Sequence, residues 1–479
     1  MTLVYTNTIR ITAIYKEEFQ LNRSRVFILF SVMMILVVWT ISEMRIHAFA
    51  AARGGIGPDV IVGDMPNITK YGPVGDRTAF SVGTTSCNIG DEELTWIANS
   101  ANHPVISQNI YRVKDGRIEQ LGQSWLKHGF FALSQSLCGS CQGTSGSSLG
   151  VGCSDPYSSG LNGSQGPLSG GTGGLGPKSE VNATTGVFAW PCRRLTSAER
   201  GELGGRISVL NSEIAPNLNP GAQYFVASQY VQPEDAHAGN DDNNHSYRRV
   251  VNTGSGNNVN ISISGAFQTV RMEPVINAWQ DVHSDVELFE VDIPGDGRVV
   301  VGVRTTSQGS GFHTEIAVEN LTSHQSVRSV NVDHCVGTIT SPGMRDVDYH
   351  AEPYSSTDWA PGIVGSEIEW STETFAQNHD ANAIRWGTLY SFWCDSDAEP
   401  ATLTLGLFRP GSVSEMVIEL ADPTLPGDVN QDGSVNLLDV DPFITVLSSG
   451  SFQKEADLNG DGAVNLLDVP PFIDAISGN

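Results

Sequence analysis

Two segments near the end of the chain carry carboxylate, amide and hydroxyl side chains at alternate positions. They begin at Asp428 and Asp457, 29 residues apart, and are identical at nine of twelve positions. Calcium prefers roughly six to eight oxygen ligands, and a twelve-residue loop can supply them from positions 1, 3, 5, 7, 9 and 12. The sequence therefore predicts one calcium site in each loop. The predicted ligands are Asp428, Asn430, Asp432, the Ser434 carbonyl, Asn436 and Asp439 in the first loop, and Asp457, Asn459, Asp461, the Ala463 carbonyl, Asn465 and Asp468 in the second.

The last ligand of each loop is also placed to begin a helix. Asp is a good N-cap residue, so we expect a short helix after Asp439 and another after Asp468. Pro442 and the pair at 470–471 then fall in a first helical turn, where a missing N–H costs little.

These paired Asp-x-Asn-x-Asp-Gly-x-Val-Asn-x-x-Asp loops, each leading into a helix, resemble a type I dockerin domain over residues 427–479. The resemblance implies a small all-α module of paired F-hands, which are EF-hand-like. Such a module binds two calcium ions and docks onto a cohesin-like domain or a cell-surface scaffold. An alternative is a calcium-stiffened stalk that has no receptor.

In that family, loop positions 10 and 11 help to select the partner. Here they hold Leu437, Leu438, Leu466 and Leu467, whereas many dockerins have small hydroxyl residues there. We expect these leucines to bind the partner, and the alternative is that some of them are core. The near-identity of the repeats indicates pseudo-two-fold symmetry, so either half is expected to face the partner.

The first fifty residues have the pattern of a secretory signal peptide. Residues 26–41 form an uncharged apolar run, preceded by Arg23 and Arg25 and followed by the small-x-small residues 48–50. The run is shorter than the roughly 20 apolar residues of a membrane span. We therefore expect residues 1–50 to be a signal peptide and the protein to be secreted or held at the cell surface. The alternative is an uncleaved anchor.

The charge argues against nucleic acid as a partner. The chain has 27 basic and 53 acidic residues, a net charge of −26, whereas contacts to phosphate need clustered Lys and Arg. No second long apolar run follows the signal segment, so we expect no membrane contact beyond it.

Cysteine usage fits an oxidising compartment, where most of these residues are disulfide candidates. The pairing is open, and an odd number leaves at least one cysteine free or bonded between chains. Cys138-Gly-Ser-Cys141 also has the spacing of a redox or metal pair, although no second such pair completes a zinc site. The seven cysteines are Cys87, Cys138, Cys141, Cys153, Cys192, Cys335 and Cys394.

The rest of the chain, residues 51–420, is predicted to be mainly β. From 216 to 420, short alternating or β-branched runs recur between turn residues, without a helix-length 3.6-residue period. This pattern is typical of an antiparallel β-sandwich or jelly roll. The clearest predicted strands are 259–264, 298–303, 314–318, 327–332, 368–370, 389–393 and 402–407.

Residues 51–215 are predicted to be a separate, less regular N-terminal region. Short strands are expected at 59–62 and 78–82, and a helical turn at 94–98. The Gly/Ser-rich stretch 139–177 is predicted to be a loop or linker, because it cannot bury much apolar surface. The alternative is ordered, glycine-lined structure.

Four polar segments of residues 216–420 contain residue types able to bind a metal or move a proton. A solvated surface is the competing interpretation for each segment. In Asp333-His334-Cys335, a catalytic relay is also disfavoured because neighbouring residues of a strand point to opposite faces. The segments are Asp346-Val-Asp348-Tyr-His350, Asp281-Val-His283-Ser-Asp285, the loop with His237, Asp241, Asp242 and His245, and Asp333-His334-Cys335.

Trp359, Trp370, Trp386 and Trp393 lie close together in sequence and are either core or a flat surface for stacking on sugars. No His-Glu-x-x-His motif occurs. The acidic residues are too numerous for the sequence to select a glycosidase pair, so catalytic residues stay unknown.

We therefore expect a secreted, non-catalytic modular protein whose dockerin displays a β-rich body, with polysaccharide as the candidate ligand of that body. The alternative is a dockerin-borne carbohydrate-active enzyme, a glycoside hydrolase that cleaves O-glycosyl bonds in polysaccharide degradation.

Overall fold

The computed structural model describes residues 56–166, 174–309, 311–334, 336–420, 426–430, 434–449, 452–459 and 463–477. It is mainly β, as predicted, with two helices close to the C-terminus. We call residues 56–420 the body, and divide it into a first half, which ends with strand β16, and a second half, which begins with β17.

The first half contains sixteen short strands in its described residues. They are β1 (Val60–Asp64), β2 (Ile68–Val74), β3 (Arg77–Val82), β4 (Thr84–Asn88), β5 (Leu94–Thr95), β6 (Val105–Lys114), β7 (Arg117–Gln123), β8 (Leu126–His128), β9 (Ser148–Leu149), β10 (Ser154–Tyr157), β11 (Leu175–Gly176), β12 (Ile207–Leu210), β13 (Gln223–Val231), β14 (His245–Thr253), β15 (Asn260–Ile263) and β16 (Thr269–Arg271).

The second half contains ten strands in its described residues. They are β17 (Glu287–Asp292), β18 (Arg298–Gln308), β19 (Gly311–Asn320), β20 (Val327–Asp333), β21 (Ile339–Arg345), β22 (Ala360–Val364), β23 (Glu367–Ser371), β24 (Thr388–Ser396), β25 (Thr402–Leu407) and β26 (Glu415–Glu419).

Helices are short, and only the last two exceed six residues. They are α1 (Ser159–Asn162), α2 (Asn211–Ile214), α3 (Pro233–Ala238), α4 (Asn277–Val282), α5 (Val440–Ser449) and α6 (Val469–Ser477), with 3-10 turns at Lys178–Glu180, Asp241–Asn243, Gly256–Asn258, Leu437–Asp439 and Lys454–Ala456.

The second half is the predicted β-sandwich. One sheet has the strand order β17-β18-β19-β24-β21, and the other β22-β23-β20-β25-β26. Side chains from both sheets share one core, which includes Val301, Val318, Val330, Trp370 and Leu405. All seven clearest predicted strands are strands in the structure.

The first half adds a mixed set of antiparallel sheets. The largest has the order β11-β8-β6-β13-β14-β15, with β7 and β16 paired at its sides. The predicted boundary at 215/216 needs correction, because β13 lies beyond it and pairs with β6 from Val231↔Val105 to Gln223↔Val113. Strands up to β16 pair only with one another, and strands from β17 onward pair only with one another, so the boundary lies around α4.

A shared core joins the two halves of the body. The valine run of β18 explains how: Val299 and Val301 face the sandwich core, while Val300 faces a second core that contains Trp279, Leu389 and residues of β6 and β7. A strand buried on both faces has a continuous apolar run rather than alternation. Gly302 lies against the Trp279 ring, where a Cβ would be 3.0 Å from the indole.

The Gly/Ser-rich stretch 139–177 is held against the core over most of its described length, not a free linker. Its strand β10 pairs with β4 and its strand β9 pairs with β5. Leu149 and Tyr157 are fully buried. The helical turn predicted at 94–98 is wrong, because β5 occupies its start and pairs with β9.

Candidate calcium and docking site

The two C-terminal helices pack through aromatic side chains. Phe443 of α5 and Phe472 of α6 are buried in a small core with Val429 and Ala456. Their rings lie parallel, with centroids 4.0 Å apart and planes 4° apart. Since the two phenylalanines hold equivalent positions in the repeats, the two halves of the module meet in a pseudo-symmetric arrangement.

The last carboxylate of the first loop holds the backbone of that loop. Asp439 Oδ1 accepts a hydrogen bond from the Asn430 N–H at 2.9 Å, and Oδ2 accepts one from the Asn436 N–H at 2.9 Å. The Asp439 side chain belongs to a fully buried residue. One carboxylate therefore ties together positions 3, 9 and 12 of the predicted calcium loop.

The second loop repeats this arrangement. Asp468 Oδ1 accepts from the Asn459 N–H at 3.1 Å, and Oδ2 accepts from the Asn465 N–H at 2.8 Å. Asp468 is also fully buried. The sequence repeat is thus a repeat of backbone geometry.

The helix cap lies three residues earlier than predicted. Asn436 Oδ1 accepts from the Leu438 N–H at 2.8 Å and caps the turn Leu437–Asp439, which leads into α5. The prediction of Asp439 as N-cap is wrong because its carboxylate bonds to loop amides instead. Pro442 does lie in the first turn of α5, as expected.

The buried carboxylates fit a cation. In the described part of the chain, no Lys, Arg or His nitrogen lies within 4.0 Å of the Asp439 or Asp468 carboxylate. A buried carboxylate without a counter-charge is costly, whereas a hard divalent cation is stabilised by clustered oxygens. The residues therefore suit calcium, which would supply the missing positive charge when bound.

The full ligand set stays a prediction. Asp428, Asn430, Ser434 and Asn436 lie in the described residues around Asp439, but Asp432 lies outside them, and so does Asp461 of the second loop. Within the described residues, no three His, Cys, Asp or Glu side chains converge on one point. Each loop offers only three carboxylates, one of which is outside the described part.

The four leucines at loop positions 10 and 11 are strongly exposed. Leu437 and Leu466 are each 77 % exposed, while Leu438 and Leu467 are 67 % and 65 % exposed. The interpretation of these side chains as core is therefore wrong. Exposed apolar pairs of this kind are typical of surfaces that bind another protein.

The comparison with protein families decides the identity of this module, since the type I dockerin domain model matches residues 426–475. Residues 426–475 are a type I dockerin domain. Type I dockerin domains bind calcium, and such a domain supports calcium-dependent docking onto a cohesin-bearing scaffold. Proteins that carry dockerins are typically extracellular or cell-surface.

The body has no such assignment. The rest of the chain is not matched to any family, and no curated protein matches the sequence. A solved chain described as "Complete structure of manganese lipoxygenase of Gaeumannomyces graminis and partial structure of zonadhesin of Komagataella pastoris" is 8 % identical, with 74 % of this chain and 93 % of that chain covered and a TM-score of 0.19. At that score the overlay says nothing about fold or function.

The predicted export signal lies at residues 1–50, outside the described residues. Among the helices that the structure does describe, none has the length and apolar character needed to cross a membrane.

The four tryptophans between residues 359 and 393 are mostly core. Trp359, Trp370 and Trp386 are at most 4 % exposed, so they offer no surface for stacking on a sugar. Trp393 is half-buried, and the Arg117 guanidinium carbon lies 3.3 Å from its ring centroid. One face of this indole is thus already covered.

The predicted cluster at Asp346, Asp348 and His350 does not form. Strand β21 ends at Arg345, so these residues do not alternate on a strand face. Asp346 accepts from Asn382 Nδ2 at 2.6 Å, whereas His350 Nε2 lies 2.9 Å from the Gln123 carbonyl, to which it can donate. Burial, with Asp358 and Asp348 nearby, raises the pKa of Asp346 to about 6.

The other two metal candidates are also dispersed. Asp281 accepts from the Tyr247 hydroxyl at 2.6 Å, while Asp285 pairs with Arg304 at 2.9 Å. In the polar loop between His237 and His245, Asp242 pairs with Arg298 at 3.1 Å. Residues 281–285 do not share one strand face, because α4 occupies residues 277–282.

The loop containing His237, Asp241 and His245 is split in the same way. His245 begins strand β14 and is 6 % exposed, and burial lowers its pKa to about 3. His237 lies in α3, and Asp241 starts a separate 3-10 turn.

The Asp333-His334-Cys335 segment shows no relay in its described part. Asp333 ends β20 and accepts from the Ser366 hydroxyl at 3.3 Å, and His334 is buried beyond the strand. Cys335 lies outside the described residues.

The Cys-x-x-Cys spacing is not a redox or metal pair, because its two cysteines belong to different disulfides. Cys138 is bonded to Cys87, and Cys141 to Cys153. The first bond ties the residue just before the Gly/Ser-rich stretch to β4, and the second closes a loop within the stretch. Among the described cysteines, Cys192 and Cys394 are unpaired and buried.

Two features had no sequence signal. His103 and His128 meet in the core, with His103 Nε2 2.9 Å from His128 Nδ1. A polar cleft lies between the halves of the body, lined by charged residues such as Glu213 and Arg345. Both bring together residues that are far apart in the chain.

Proposed function

We propose that the dockerin of this chain holds two calcium ions, one in each loop, and binds a cohesin-like domain through Leu437, Leu438, Leu466 and Leu467. We further propose that residues 1–50 export the protein, so that the dockerin displays the body on an extracellular scaffold.

The matched exposure of the two leucine pairs is the observation that carries this proposal. Both pairs are at least 65 % exposed, and each directly follows the asparagine whose side chain accepts from the N–H of its second leucine. Burial of one leucine side chain is worth about 1.5–3 kcal/mol. Two leucines in one interface would therefore contribute a hundredfold or more, roughly, to the association constant.

The loops position these leucines through the residues that would hold the ions. Asn436 accepts from the Leu438 N–H, and the Asn436 N–H donates to Asp439. Calcium, when bound, would offset the mutual repulsion of the loop carboxylates. Loss of the ion would release that repulsion next to the leucines, which makes docking calcium-dependent.

The body is the displayed part, and we propose no glycan for it. Three of the four tryptophans that suggested sugar binding are buried, and the fourth carries Arg117 on one face. Stacking on a sugar needs a free aromatic face.

Binding of the intact protein to a panel of recombinant cohesin domains tests the proposal. Titration calorimetry would compare calcium with chelator, and the wild-type chain with three variants. The variants are Leu437→Ser with Leu438→Ser, Leu466→Ser with Leu467→Ser, and all four changes together.

We expect each half variant to retain binding to within severalfold, since either half can face the partner. The fourfold variant should lose binding by at least about a hundredfold. An exposed leucine elsewhere, Leu218 at 56 % exposed, provides the control Leu218→Ser. Wild-type affinity in the fourfold variant would overturn the proposed docking surface.

A further inference from the structure

A small cavity is lined by residues from both halves of the body, beside the 3-10 turn Lys178–Glu180. Its volume is about 20 Å³, room for one or two waters. Its described lining contains three basic side chains and no Asp or Glu, although the whole chain carries a net charge of −26. The basic residues are Lys178, Arg385 and Arg409, and His324 and Tyr354 also line the cavity. Positive charge is thus concentrated at one point of an acidic protein.

The charge of Arg385 is buried without a carboxylate beside it. The residue is 4 % exposed, and among the described residues no Asp or Glu oxygen lies within 4.0 Å of its guanidinium. Its Nη2 donates to the carbonyls of His379 and Ala381 at 3.1 and 3.0 Å, but Nε and Nη1 have no hydrogen-bond partner in the described structure. A buried cation without a counter-ion is costly, so an anion in this cavity would stabilise it.

Arg409 brings a second guanidinium to the same cavity. It is half-buried, it forms no ion pair with a described carboxylate, and its Nε has no hydrogen-bond partner there. Burial lowers the pKa of Arg409, and the charge of Arg385 lowers it further. The two guanidiniums therefore repel each other, and an anion in the cavity that both line would offset this repulsion.

Lys178 contributes positive charge from the first half of the body. Its Nζ donates to Asn109 Oδ1 at 3.3 Å, to Gln123 Oε1 at 3.1 Å and to the Gly387 carbonyl at 3.1 Å. These bonds occupy the three donors of the ammonium, and all three acceptors are neutral. Burial lowers the pKa of Lys178 to about 7. A nearby anion would favour its charged form.

The acidic side chains near the cavity do not neutralise the two guanidiniums. Glu352 accepts from the Lys178 N–H at 2.7 Å, and Asp296 accepts from the His324 N–H at 3.1 Å. Asp380 is exposed to solvent. In the described part of the chain, none of these three carboxylates lies within 4.0 Å of a basic side chain. They weaken the positive potential of the cavity without pairing with its arginines.

Two neutral donors belong to the same lining. His324 and Tyr354 are both half-buried. Burial, with Arg409 nearby, lowers the pKa of His324, so its ring is neutral at pH 7 and carries one N–H. The Tyr354 hydroxyl is a second donor. An anion in the cavity would therefore have hydrogen-bond donors as well as positive charge around it.

We propose that this cavity binds a small singly charged anion, either a free halide such as chloride or the carboxylate group of a larger solute. Arg385 and Arg409 supply the positive charge, and His324 and Tyr354 supply neutral donors. The volume is far below the roughly 300 Å³ at which typical ligand pockets begin, so only the charged group of a solute enters. Because both halves line the cavity, the bound anion holds the Lys178–Glu180 turn against the second half.

Nuclear magnetic resonance of the intact, calcium-loaded protein tests the proposal with chloride and acetate as probes. Exchange with a protein site broadens the chlorine-35 signal of free chloride, and saturation transfer to the acetate methyl group reports binding of a carboxylate. We expect a saturable signal from at least one probe. Competition between them at constant ionic strength distinguishes the two sources, since the natural class of anion displaces the other at the lower concentration.

Variants tie the binding to the cavity. Arg409→Gln removes one of the two guanidiniums and should weaken binding of the better probe by about tenfold. Tyr354→Phe keeps the ring, whose centroid is 3.6 Å from the Arg385 guanidinium carbon, and removes only the hydroxyl. It should weaken binding by severalfold. Arg200→Gln is the matched control for charge, because Arg200 is exposed and lies outside the cavity.

The proposal fails if neither chloride nor acetate gives a saturable signal. It also fails if Arg409→Gln and Tyr354→Phe both bind the better probe as tightly as Arg200→Gln does. Tyr354→Phe keeps the test decisive should Arg409→Gln not fold. None of these outcomes bears on docking by the dockerin, which is measured with calcium and cohesin domains.

Discussion

Phe443 and Phe472 stack face to face across the dockerin, 4.0 Å apart and parallel to within 4°. Because they are equivalent residues of the two repeats, each calcium loop is supported by the helix of the other half as well as by its own. Truncation of either ring should therefore impair both loops.

We predict that Phe443→Ala and Phe472→Ala each destabilise the dockerin by about 3–5 kcal/mol, a large fraction of the stability of so small a module. Titration calorimetry of calcium into the intact chain should then show both sites weakened together. Phe452→Ala is the control, since Phe452 is 59 % exposed and should change little. Loss of only one site in Phe443→Ala would argue against this coupling.

The closing carboxylates should be the most sensitive positions of the loops. In Asp439→Asn, the new amide N–H would face one of the two backbone N–H groups that now donate to the carboxylate. The change would also remove a charged ligand. We expect calcium affinity of that loop to fall by at least a hundredfold, roughly, as for loss of a charged ligand.

Asp441→Asn provides the matched control for that change. Asp441 is exposed in the first turn of α5 and is not a predicted ligand. Its substitution should leave calcium affinity within about twofold. Equal effects of Asp439→Asn and Asp441→Asn would show that net charge, not ligation, governs binding.

The disulfide arrangement gives a chemical prediction. Alkylation of the folded, unreduced protein should leave Cys192 and Cys394 unmodified, because both are buried, while denaturant alone should expose them. Peptide mapping without reductant should recover Cys87 linked to Cys138 and Cys141 linked to Cys153. A Cys138–Cys141 bond would contradict this pairing.

The His103–His128 pair predicts a loss of stability in mild acid. Burial lowers the pKa of His103 to about 4 and that of His128 well below its usual value. The unfolded chain takes up these protons near pH 6.5, whereas the folded chain does not. Stability is therefore fully present above pH 6.5 and falls as the pH decreases toward 4.

Thermal unfolding of the calcium-loaded protein at pH 7 and pH 5 measures this effect. His103 Nδ1 lies 3.3 Å from the Ile97 carbonyl, so it carries the proton, and His128 Nδ1–H donates to His103 Nε2. His128→Asn keeps a donor at that position but removes one titrating ring. Its melting temperature should drop less between pH 7 and pH 5 than that of the wild type. An equal drop in both proteins would rule out this pair as an acid-sensitive element.

The sequence pattern predicted those features that depend on neighbouring residues. The valine run at 298–303 and the mostly apolar run at 389–393 form β18 and β24, because continuous apolar runs are typical of buried strands. The calcium loops could also be recognised from the sequence, because all the predicted ligands of each loop lie within twelve residues.

Features built from distant segments were not predictable. Leu94 and Thr95 form a strand only because β9 pairs with them. The cleft depends on pairs such as Arg345 and Glu213, which are 132 residues apart. Without knowledge of the pairing, each of these residues is one charged side chain among many.

The central claim is that two loops of one module each bind a calcium ion. Equilibrium dialysis of the intact protein at millimolar calcium measures this most directly, with the Asp439→Asn, Asp468→Asn double variant beside it. We predict two ions bound per dockerin in the wild type and none at the loops of the double variant. A wild-type chain that binds no calcium, or a double variant that still binds two ions, would contradict the account.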